Sequence, residues 1–502
     1  MKGKVYLVGA GPGDFKLITL KGQDAIKAAD VIVYDRLASP KLLDFRKEDC
    51  EFIYVGKESS NHTKTQDEIN DIICQKALEG KIVTRLKGGD PYVFGRGGEE
   101  GQYLIERGVD VEVIPGITSA IGGLAYAGIP ITHRDHASSF HVITGHLKDE
   151  SNELDWDVLA KLKGTLVFLM GMSELKKITA RLIENGMAST TPVGVINWAT
   201  TDRQKVAVGT LIDIYEITER EGLTSPSIIV VGDVVKLRED LNFFEKKPLY
   251  GKKILVTRAR SQSSKVGEKS YELGGTAIEF PVIKIKDLSH EPSIIEEIKR
   301  VKEYNYLIFT SQNGVKLFLN RMFSLGLDMR ALTGAKIVAI GKVTAKELEK
   351  YHLYADIIPE NYIAEGIYEE LKDMLTPEDN ILLPRAKESR DFLAEELGKL
   401  AQIKEIKIYE TILGEGAEKV EEVKSLLNKK EIDYITFTSS STVKNLVKIL
   451  GSADILKNQK LISIGPITSD TVEGFGLEVY GEAEKYDIDG VLKVILNEEA
   501  QK

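Results

Sequence analysis

The stretch that most constrains this chain runs from Lys81 to Glu100 and reads KIVTRLKGGDPYVFGRGGEE. Its apolar beginning predicts a β-strand, and the glycines, aspartate and proline that follow predict a tight turn at the end of that strand. Because glycine lets a ligand or another backbone approach closely, we expect this turn to face a ligand, with Asp90 as a polar anchor. The alternative is an ordinary strand-to-helix loop in which Glu99 and Glu100 stabilise the first helical turn.

Short apolar runs recur on both sides of this stretch. Those before Arg134 are separated by helical patterns and predict a parallel βαβ architecture; they lie at Lys4 to Asp14, where a strand enters a glycine-rich turn, and at Asp30–Asp35, Glu51–Val55, Lys81–Leu86 and Val111–Ile114. Those beyond Arg134 come closer together and predict a second, mixed sheet; they lie at Ser139–Thr144, Thr165–Met170, Val193–Asn197, Lys205–Thr210 and Ser227–Val231.

The length of 502 residues predicts three or four domains. The main boundary is expected in Leu241–Lys253, which is charged, contains a proline and has no periodic pattern. Beyond it the sequence repeats itself at an offset of about 125 residues, which predicts two similar α/β lobes with a cleft between them. The repeated pairs are KILVTRAR and NILLPRAK, IFTS and TFTS, and Ile340-Gly341 and Ile464-Gly465.

Composition excludes several classes of protein. The formal charge of −10 argues against a nucleic-acid binder, which needs a basic face. Cys50 and Cys74 lack the short spacing of a disulfide framework or a cysteine zinc site. No apolar run has the length of a signal core or of a membrane span. We therefore expect a cytoplasmic, soluble protein with no nucleic-acid or membrane partner.

The glycine-rich turn from Gly9 to Asp14, GAGPGD, invites comparison with dinucleotide-binding turns, and Asp30 or Asp35 lies near the position of their ribose-binding acid. The spacing is G-x-G-x-G, however, Pro12 removes a backbone donor, and Asp14 would repel a pyrophosphate. No triphosphate-binding loop is present either. A ligand without phosphate fits better, and S-adenosylmethionine, a sulfonium with an adenosine and an amino-acid zwitterion, is one.

Several motifs occur in the order found in one known family: GAGPGD, VYDRL, VGK, GGDPYVFGRGGEE, PGITSA and GIPITHRD. From Met1 to about Arg238 the chain resembles the uroporphyrinogen III C-methyltransferases of the tetrapyrrole methylase family. The resemblance implies a class III methyltransferase fold of two α/β domains. It also implies S-adenosylmethionine in the cleft between them as methyl donor, no metal, and a homodimer formed through this half.

The resemblance also implies roles for single residues. Asp35 corresponds to the proposed proton acceptor and Lys57 to the proposed proton donor; the alternatives are a turn aspartate and a solvated lysine. Ala199 stands where the family often has glycine and would tighten the adenosine pocket. The implied cofactor contacts are Pro12, Gly88, Gly89, Asp90, Val93, Thr118, Ser119, Met170 and Ala199.

A substrate with eight carboxylate arms needs cations, and arginine forks suit carboxylates. The candidates lie in or beside the motifs, and some are expected to be structural ion pairs instead: Arg36, Arg85, Arg96, His133 and Arg134. For Arg96 both roles stay open. The neighbouring histidines do not reproduce a known metal-ligand spacing, so no metal site is predicted; they are His133, His136, His141 and His146.

From Lys252 to about Glu498 the chain resembles uroporphyrinogen III synthase, a bilobal α/β fold. The motifs are LVTRAR, PVIKIKD, FTSQNGV, IKIYET, FTSSSTV and SIGPITSDT, with strand-like linkers near Ile283–Lys286 and Ile406–Thr411. Tyr409 corresponds to the family's tyrosine suspected of assisting loss of the substrate hydroxyl; a packed linker tyrosine is the alternative. Hydroxyls expected to bind carboxylate arms, or else to be ordinary strand-end groups, belong to Thr310, Ser311, Ser439 and Thr468.

Together the two resemblances predict a bifunctional enzyme of tetrapyrrole biosynthesis, serving siroheme or cobalamin. The second half would cyclise hydroxymethylbilane to uroporphyrinogen III with inversion of ring D, and the first would methylate the product at C2 and C7 to precorrin-2. The alternative is a methylase of a later corrin intermediate joined to a non-catalytic, ligand-binding second half. The expected domains are residues 1–134, 135–240, 252–285 with 411–500, and 286–410, with a linker at 241–251.

Overall fold

The computed structural model describes residues 3–47, 49–56, 64–145, 154–257, 260–414 and 417–501. The described residues form four five-stranded sheets covered by helices, which confirms the predicted α/β class. The chain divides into a first unit, Met1–Lys252 with Glu272–Thr276, and a second unit, Lys253–Tyr271 with Ala277–Lys502. Short 3₁₀ helices lie at Phe15–Leu17, Pro40–Phe45, Met172–Glu174, Asp233–Leu237, Val301–Glu303, Met329–Leu332 and Asp454–Leu456.

The first sheet of the first unit is parallel throughout, in the order β3-β2-β4-β1-β5. Its strands are β1 (Lys4–Gly9), β2 (Val31–Tyr34), β3 (Glu51–Tyr54), β4 (Ile82–Lys87) and β5 (Asp110–Ile114), and its helices are α1 (Leu20–Ala28), α2 (Gln66–Leu78), α3 (Gly97–Glu106) and α4 (Ser119–Tyr126). The carboxyl ends of parallel strands meet at one sheet edge, where open α/β sheets bind ligands. The GAGPGD, DRL, GGD and PGITSA motifs therefore all lie at that edge.

The second sheet of this unit is mixed, in the order β6-β7-β10-β8-β9, with β6 and β7 parallel and the other neighbours antiparallel. Its strands are β6 (Phe140–Thr144), β7 (Thr165–Leu169), β8 (Pro192–Asn197), β9 (Lys205–Thr210) and β10 (Ser227–Val231), with α5 (Trp156–Leu159), α6 (Leu175–Glu184), α7 (Ile214–Glu221) and α8 (Arg238–Leu241). Strands β7 and β10 are almost wholly apolar and buried, as expected of central strands covered on both faces. Helix α4 packs on this sheet through Ala120 and Leu124.

The second unit contains two sheets, in the orders β12-β11-β18-β19-β20 and β13-β17-β16-β14-β15. Its strands are β11 (Lys253–Val256), β12 (Thr276–Glu279), β13 (Ile283–Asp287), β14 (Tyr306–Phe309), β15 (Lys336–Ala339), β16 (Asn380–Ala386), β17 (Gln402–Leu413), β18 (Tyr434–Phe437), β19 (Leu461–Ser463) and β20 (Val479–Glu482). Its helices are α9 (Arg260–Glu272), α10 (Pro292–Lys299), α11 (Gln312–Ser324), α12 (Lys342–Glu349), α13 (Ala364–Leu371), α14 (Phe392–Leu397), α15 (Ala417–Asn428), α16 (Ser440–Leu450), α17 (Pro466–Gly474) and α18 (Ile488–Ala500).

The repeat predicted from sequence is visible in these two sheets. The run β12-β11-β18-β19 matches β17-β16-β14-β15 in order, and each repeated motif lies on or just after corresponding strands. The two linker strands β13 and β17 pair antiparallel with each other, and both belong to the sheet of the inserted lobe. Among the described residues, no helix is long and apolar enough to cross a lipid bilayer.

Candidate functional site

Three glycine-bearing loops converge at the carboxyl edge of the first sheet. Gly11 and Gly89 form an antiparallel bridge, with the Gly89 amide donating to the Gly11 carbonyl at 2.7 Å. A β-carbon built on Gly9 would lie 2.4 Å from the Gly116 nitrogen, and one on Gly116 would lie 2.3 Å from the Gly89 oxygen. This approach tolerates no side chain at Gly9 or Gly116, and Gly89 has a left-handed φ of 68°, so each of the GAGPG, PGITSA and GGD motifs needs glycine there.

Asp90 fastens these loops together. Its Oδ2 accepts a hydrogen bond from the Gly116 amide at 2.9 Å, and its Oδ1 accepts one from the Tyr92 amide at 2.8 Å. The carboxylate is therefore an anchor within the loops, as the sequence predicted. Beside it Thr118 caps α4 by accepting from the Ala120 amide, and Gly89 faces the backbone of Thr118 and Ser119.

A fourth loop, residues 198–200 after β8, meets the GAGPGD turn. The Asp14 amide donates to Thr200 Oγ1 at 2.9 Å, and a β-carbon on Gly13 would lie 3.0 Å from the Ala199 oxygen. Trp198 and Thr200 have left-handed backbone, with φ of 45° and 67°. Such non-glycine conformations cost about 1–3 kcal/mol each and persist only where surrounding contacts enforce them.

Two of the remaining predicted cofactor contacts, Pro12 and Val93, lie beside these loops, and Met170 follows β7. Pro12 reaches the first turn of α4, since a β-carbon on Gly122 would lie 2.9 Å from Pro12 Cγ. Val93 is partly buried against the cluster that contains Ala199. Met170 follows β7 with a φ of 57° and is half exposed. These placements keep the predicted set within one unit.

Behind the site lies a buried group of charges on β4 and α3. Arg85 Nη2 lies 3.2 Å from Asp35 Oδ2, and Arg85 Nε lies 3.6 Å from Glu100 Oε1. The same Glu100 oxygen accepts from Lys87 Nζ at 2.7 Å and from Gln66 Nε2 at 3.0 Å. Glu100 is fully buried, and burial followed by repulsion from Arg85 lowers the pKa of Lys87. For Arg85, a candidate substrate cation or structural ion-pair residue, the structure shows an internal ion-pair residue.

Asp35 stands at the exposed end of this group. Its side chain is 27% exposed, and its Oδ1 accepts from the Leu37 amide at 3.0 Å while Oδ2 faces Arg85. The Leu37 amide and Arg85 hold the carboxylate in one orientation, and the rest of the side chain is open to solvent. Its predicted partner Lys57 lies outside the described residues.

Of the other predicted substrate cations, the three arginines are exposed and His133 is half-buried. The Arg36 guanidinium lies 5.8 Å from the ring centre of Trp198, which places it beside the strained loop. Arg96 pairs with Glu99 at 2.5 Å, although both side chains remain more than half exposed. His133 accepts at Nδ1 from the Asp135 amide, and Arg134 is exposed in the same turn.

The histidine stretch offers no metal centre among the residues described. No group of three or more histidine, cysteine, aspartate or glutamate side chains in that part of the chain is arranged to hold a metal ion. The rings of His133 and His136 lie with their centres 4.9 Å apart and are tilted by 47° to each other. His146 lies outside the described residues.

In the second unit, Tyr409 and Ser311 meet within one lobe. Tyr409 lies on β17, is 7% exposed, and donates its hydroxyl to Ser311 Oγ at 2.9 Å. Burial raises the pKa of Tyr409, so the phenol stays protonated near neutral pH. Ser311 also caps α11 by accepting from the Gly314 amide, and Thr310 is the residue between β14 and that cap.

The corresponding edge of the other lobe carries Ser439 and Thr468. Ser439 precedes α16 and its hydroxyl lies 2.9 Å from that of Ser441. Thr468 is buried in the first turn of α17, and its amide donates to the Gly465 carbonyl. The structure thus joins Tyr409 to Ser311 and distributes the four predicted hydroxyl residues over equivalent edges of two sheets.

Four residues of this site were not predicted from the sequence: Lys87, Glu100, Thr200 and Gln204. A signal for Glu100 exists, because it lies on the face of α3 that also carries Gly97, Gly101 and the buried Leu104. Lys87 ends a strand in which every residue after Ile82 is buried. Thr200 and Gln204 gave no such signal, because their roles depend on contacts across the fold.

Comparison with known proteins finds two families, each of which matches a different half of the chain. The family model described as tetrapyrrole (corrin/porphyrin) methylases matches residues 4–215, and that of uroporphyrinogen-III synthase HemD matches residues 264–493. A porphyrin biosynthesis protein HemD of Ruminiclostridium josui is 38% identical over 497 residues, which cover 98% of this chain and 98% of that protein. A uroporphyrinogen-III C-methyltransferase of Bacillus subtilis (strain 168) is 45% identical over 351 residues, 69% of this chain and 71% of its own length.

Among solved structures, a uroporphyrin-III C-methyltransferase from Thermus thermophilus complexed with S-adenosylhomocysteine is similar at 38% identity. The match covers 47% of this chain and all of that one, with a TM-score of 0.40. The relative from Ruminiclostridium josui spans both halves, so the two family matches and this full-length similarity agree. The chain belongs to the family in which a tetrapyrrole methylase is joined to a uroporphyrinogen-III synthase, as its motifs predicted.

Proposed function

We propose that the second unit cyclises hydroxymethylbilane to uroporphyrinogen III with inversion of ring D, and that the first unit transfers methyl groups from S-adenosylmethionine to C2 and C7 of that product. The observation that carries the proposal is the convergence of the GAGPG, GGD and PGITSA loops with the 198–200 loop, on which most of the proposed cofactor contacts lie. The full-length similarity to a porphyrin biosynthesis protein supports placing both steps in one chain.

The residues around these loops fit S-adenosylmethionine better than a nucleotide phosphate. Pro12 offers no amide donor, and the carboxylate of Asp14 is buried and already accepts from the Tyr126 hydroxyl at 2.7 Å. The neighbouring wall is apolar at Val93 and Ala199. Pro12, Gly88 to Asp90, Thr118, Ser119, Met170 and Ala199 would hold the cofactor, whose sulfonium supplies an electrophilic methyl group.

For methyl transfer, Asp35 would accept the proton that the pyrrole loses after its carbon is alkylated. Its Oδ2 faces Arg85 and its Oδ1 accepts from the Leu37 amide, so the carboxylate is oriented before substrate binds. In-line alignment of the methyl group with the ring carbon supplies most of the remaining rate. We assign Lys57 as proton donor and Arg36, Arg96, His133 and Arg134 as partners of the substrate carboxylates.

For cyclisation, Tyr409 would assist departure of the substrate hydroxyl. Burial raises the pKa of Tyr409, so its hydroxyl carries a proton, which Ser311 Oγ accepts in the absence of substrate. Thr310, Ser311, Ser439 and Thr468 would bind carboxylate arms at the two sheet edges. A site closed to water is required because the reactive azafulvene would otherwise add water.

The proposal is tested by incubating the full chain with hydroxymethylbilane and S-adenosylmethionine and analysing products by mass and by isomer. A dimethylated product of the type III isomer supports both halves. Recovery of only uroporphyrinogen I, the uncatalysed isomer, refutes the synthase half.

An Asp35→Asn variant then tests the base. Methyl transfer should fall at least about 100-fold, the usual contribution of a general base, with cyclisation intact. Asp24→Asn, an exposed aspartate on α1, is the matched control and should leave both reactions unchanged. Unchanged methylation in Asp35→Asn would remove Asp35 from the mechanism.

The second candidate keeps the methylase but changes its substrate to a later corrin intermediate, with a silent second half. The position of the added methyl groups, read by carbon-13 labelling of the methyl donor, separates the two. We also propose a homodimer formed through the first unit, a cytoplasmic location, and siroheme or cobalamin as destination. The domain limits 1–134, 135–240, 252–285 with 411–500, and 286–410 are retained as part of this proposal.

A further inference from the structure

The segment at residues 241–251, predicted as a linker, is packed into the first unit. Leu249 is fully buried and Phe244 is nearly so. The Phe244 ring lies 4.7 Å from that of Tyr126, on α4, and 5.3 Å from that of Tyr250. The Leu249 amide donates to the Leu273 carbonyl, in the Glu272–Thr276 stretch of the same unit. This connecting segment is therefore an integral part of the fold.

A continuous set of polar contacts runs from the connecting segment to the strained loop. Arg238 Nη2 pairs with Glu245 Oε2 at 2.5 Å, and Glu245 Oε1 accepts from Gln204 Nε2 at 2.8 Å. Gln204 Oε1 accepts from the Thr200 amide at 2.8 Å. The Tyr250 hydroxyl donates to the Gln204 carbonyl. Gln204 is 3% exposed, so these partners replace water for its amide group.

These polar contacts support the 198–200 loop, whose backbone conformation is unfavourable without them. Thr200 and Trp198 hold left-handed backbone that side-chain-bearing residues adopt only under constraint. The Gln204 amide oxygen fixes the Thr200 nitrogen, and Thr200 Oγ1 in turn accepts from the Asp14 amide of the GAGPGD turn. Ala199 lies between Trp198 and Thr200 in this loop, and its side chain faces α4, the helix that follows Thr118.

We propose that Gln204 and Glu245 are positioning residues for the cofactor site, and that the connecting segment thereby sets the affinity of the first unit for S-adenosylmethionine. The proposal rests on the proposed methyltransferase function. Neither side chain needs to touch the cofactor. Without Glu245, the buried Gln204 amide loses the nearer of its two acceptors and keeps only the Tyr126 carbonyl at 3.3 Å, so the 198–200 loop relaxes from its left-handed conformation.

The test measures binding of S-adenosylhomocysteine to the full chain by calorimetry, with methylation kinetics at varied S-adenosylmethionine. Glu245→Ala and Gln204→Ala should each weaken binding about tenfold, the effect of leaving one buried polar group unsatisfied. KM for the cofactor should rise in parallel, while kcat changes less than about twofold. Glu245→Gln keeps an oxygen acceptor for Gln204 and should restore most of the affinity.

Asp233→Asn is the matched control, because it breaks an exposed ion pair with Lys236 just before the same segment. Its binding should equal that of the wild type. If Glu245→Ala does not fold, Tyr250→Phe decides, because it removes only the hydroxyl donated to the Gln204 carbonyl and should weaken binding about threefold. Unchanged affinity in the folded variants, or a fall in kcat alone, overturns the proposal. Wild-type protein that fails to bind S-adenosylhomocysteine would instead refute the methyltransferase function.

Discussion

Replacing Glu100 by glutamine removes the one carboxylate that lies between Lys87 and Arg85. At an effective dielectric constant of about 20, a carboxylate 2.7 Å from one cation and 3.6 Å from another is attracted by about 6 and 5 kcal/mol. Desolvation of the buried carboxylate offsets a large part of this attraction. The net loss on removing one partner of such a buried pair is about 3–5 kcal/mol, because the other charge is left unpaired. Glu100→Gln should therefore lower the free energy of unfolding by that amount.

Urea unfolding of the full chain measures the change in the free energy of unfolding, and calorimetry measures the change in the unfolding temperature. For a unit of this size, the midpoint temperature of thermal unfolding should fall by roughly 2–4 °C for each kcal/mol of unfolding free energy that is lost. Glu99→Gln is the control, because its side chain is 58% exposed and its pair with Arg96 should contribute less than about 1 kcal/mol. Lys87→Met combined with Glu100→Leu should be less destabilised than Glu100→Gln alone, since no lysine remains unpaired. Equal losses in Glu99→Gln and Glu100→Gln would refute the reasoning.

Three further outcomes follow from single contacts. Tyr409→Phe should slow cyclisation at least about tenfold by removing a proton donor while changing stability by no more than about 1–2 kcal/mol, measured by isomer-resolved assay and thermal unfolding. Gly116→Ala should destabilise the first unit and abolish cofactor binding in calorimetry, because its β-carbon would lie 2.3 Å from the Gly89 oxygen. Two lysine ammonium groups lower the pKa of Glu112 from 4.5 to about 2. The contribution of Glu112 to stability is therefore complete above about pH 4.5 and is lost as the pH falls towards 2. In urea titrations across that range, Glu112→Gln should reduce the fall in the free energy of unfolding with pH.

The sequence predicted the elements that depend on local patterns. The ten strands expected in the first unit are all present, within a residue or so at each end apart from the turn appended to β1, because apolar runs bounded by glycine and proline leave little freedom in their placement. The GAGPGD, GGD and PGITSA motifs lie at one edge of the sheet because each follows a strand and the strands are parallel. Asp90 is the polar anchor that the sequence predicted, and the structure adds that its carboxylate accepts from the Gly116 and Tyr92 amides.

The rest depended on tertiary contacts that no local pattern encodes. Glu100 looked like a helix-start charge beside Glu99, yet one is fully buried and the other exposed, and only the helix face distinguishes them. Arg85 was grouped with substrate cations because arginines suit carboxylates, whereas its strand position buries it against Asp35. Gln204 reaches Glu245 from 41 residues away, a pairing set by the packing of the connecting segment.

The interleaved order of strands in the second unit has a consequence for how the chain folds. Strands β13 to β17 follow one another along the sequence, so their sheet can complete from a single uninterrupted stretch. Strand β11, in contrast, pairs with β18, and the Lys253 amide bonds a carboxylate 180 residues later. Closing so long a loop is slow, and a ribosome delivers only about 5–20 residues per second. During synthesis every strand of the inserted lobe therefore leaves the ribosome before β18, so that lobe can pair its strands while the edge of β11 that binds β18 is still unpaired.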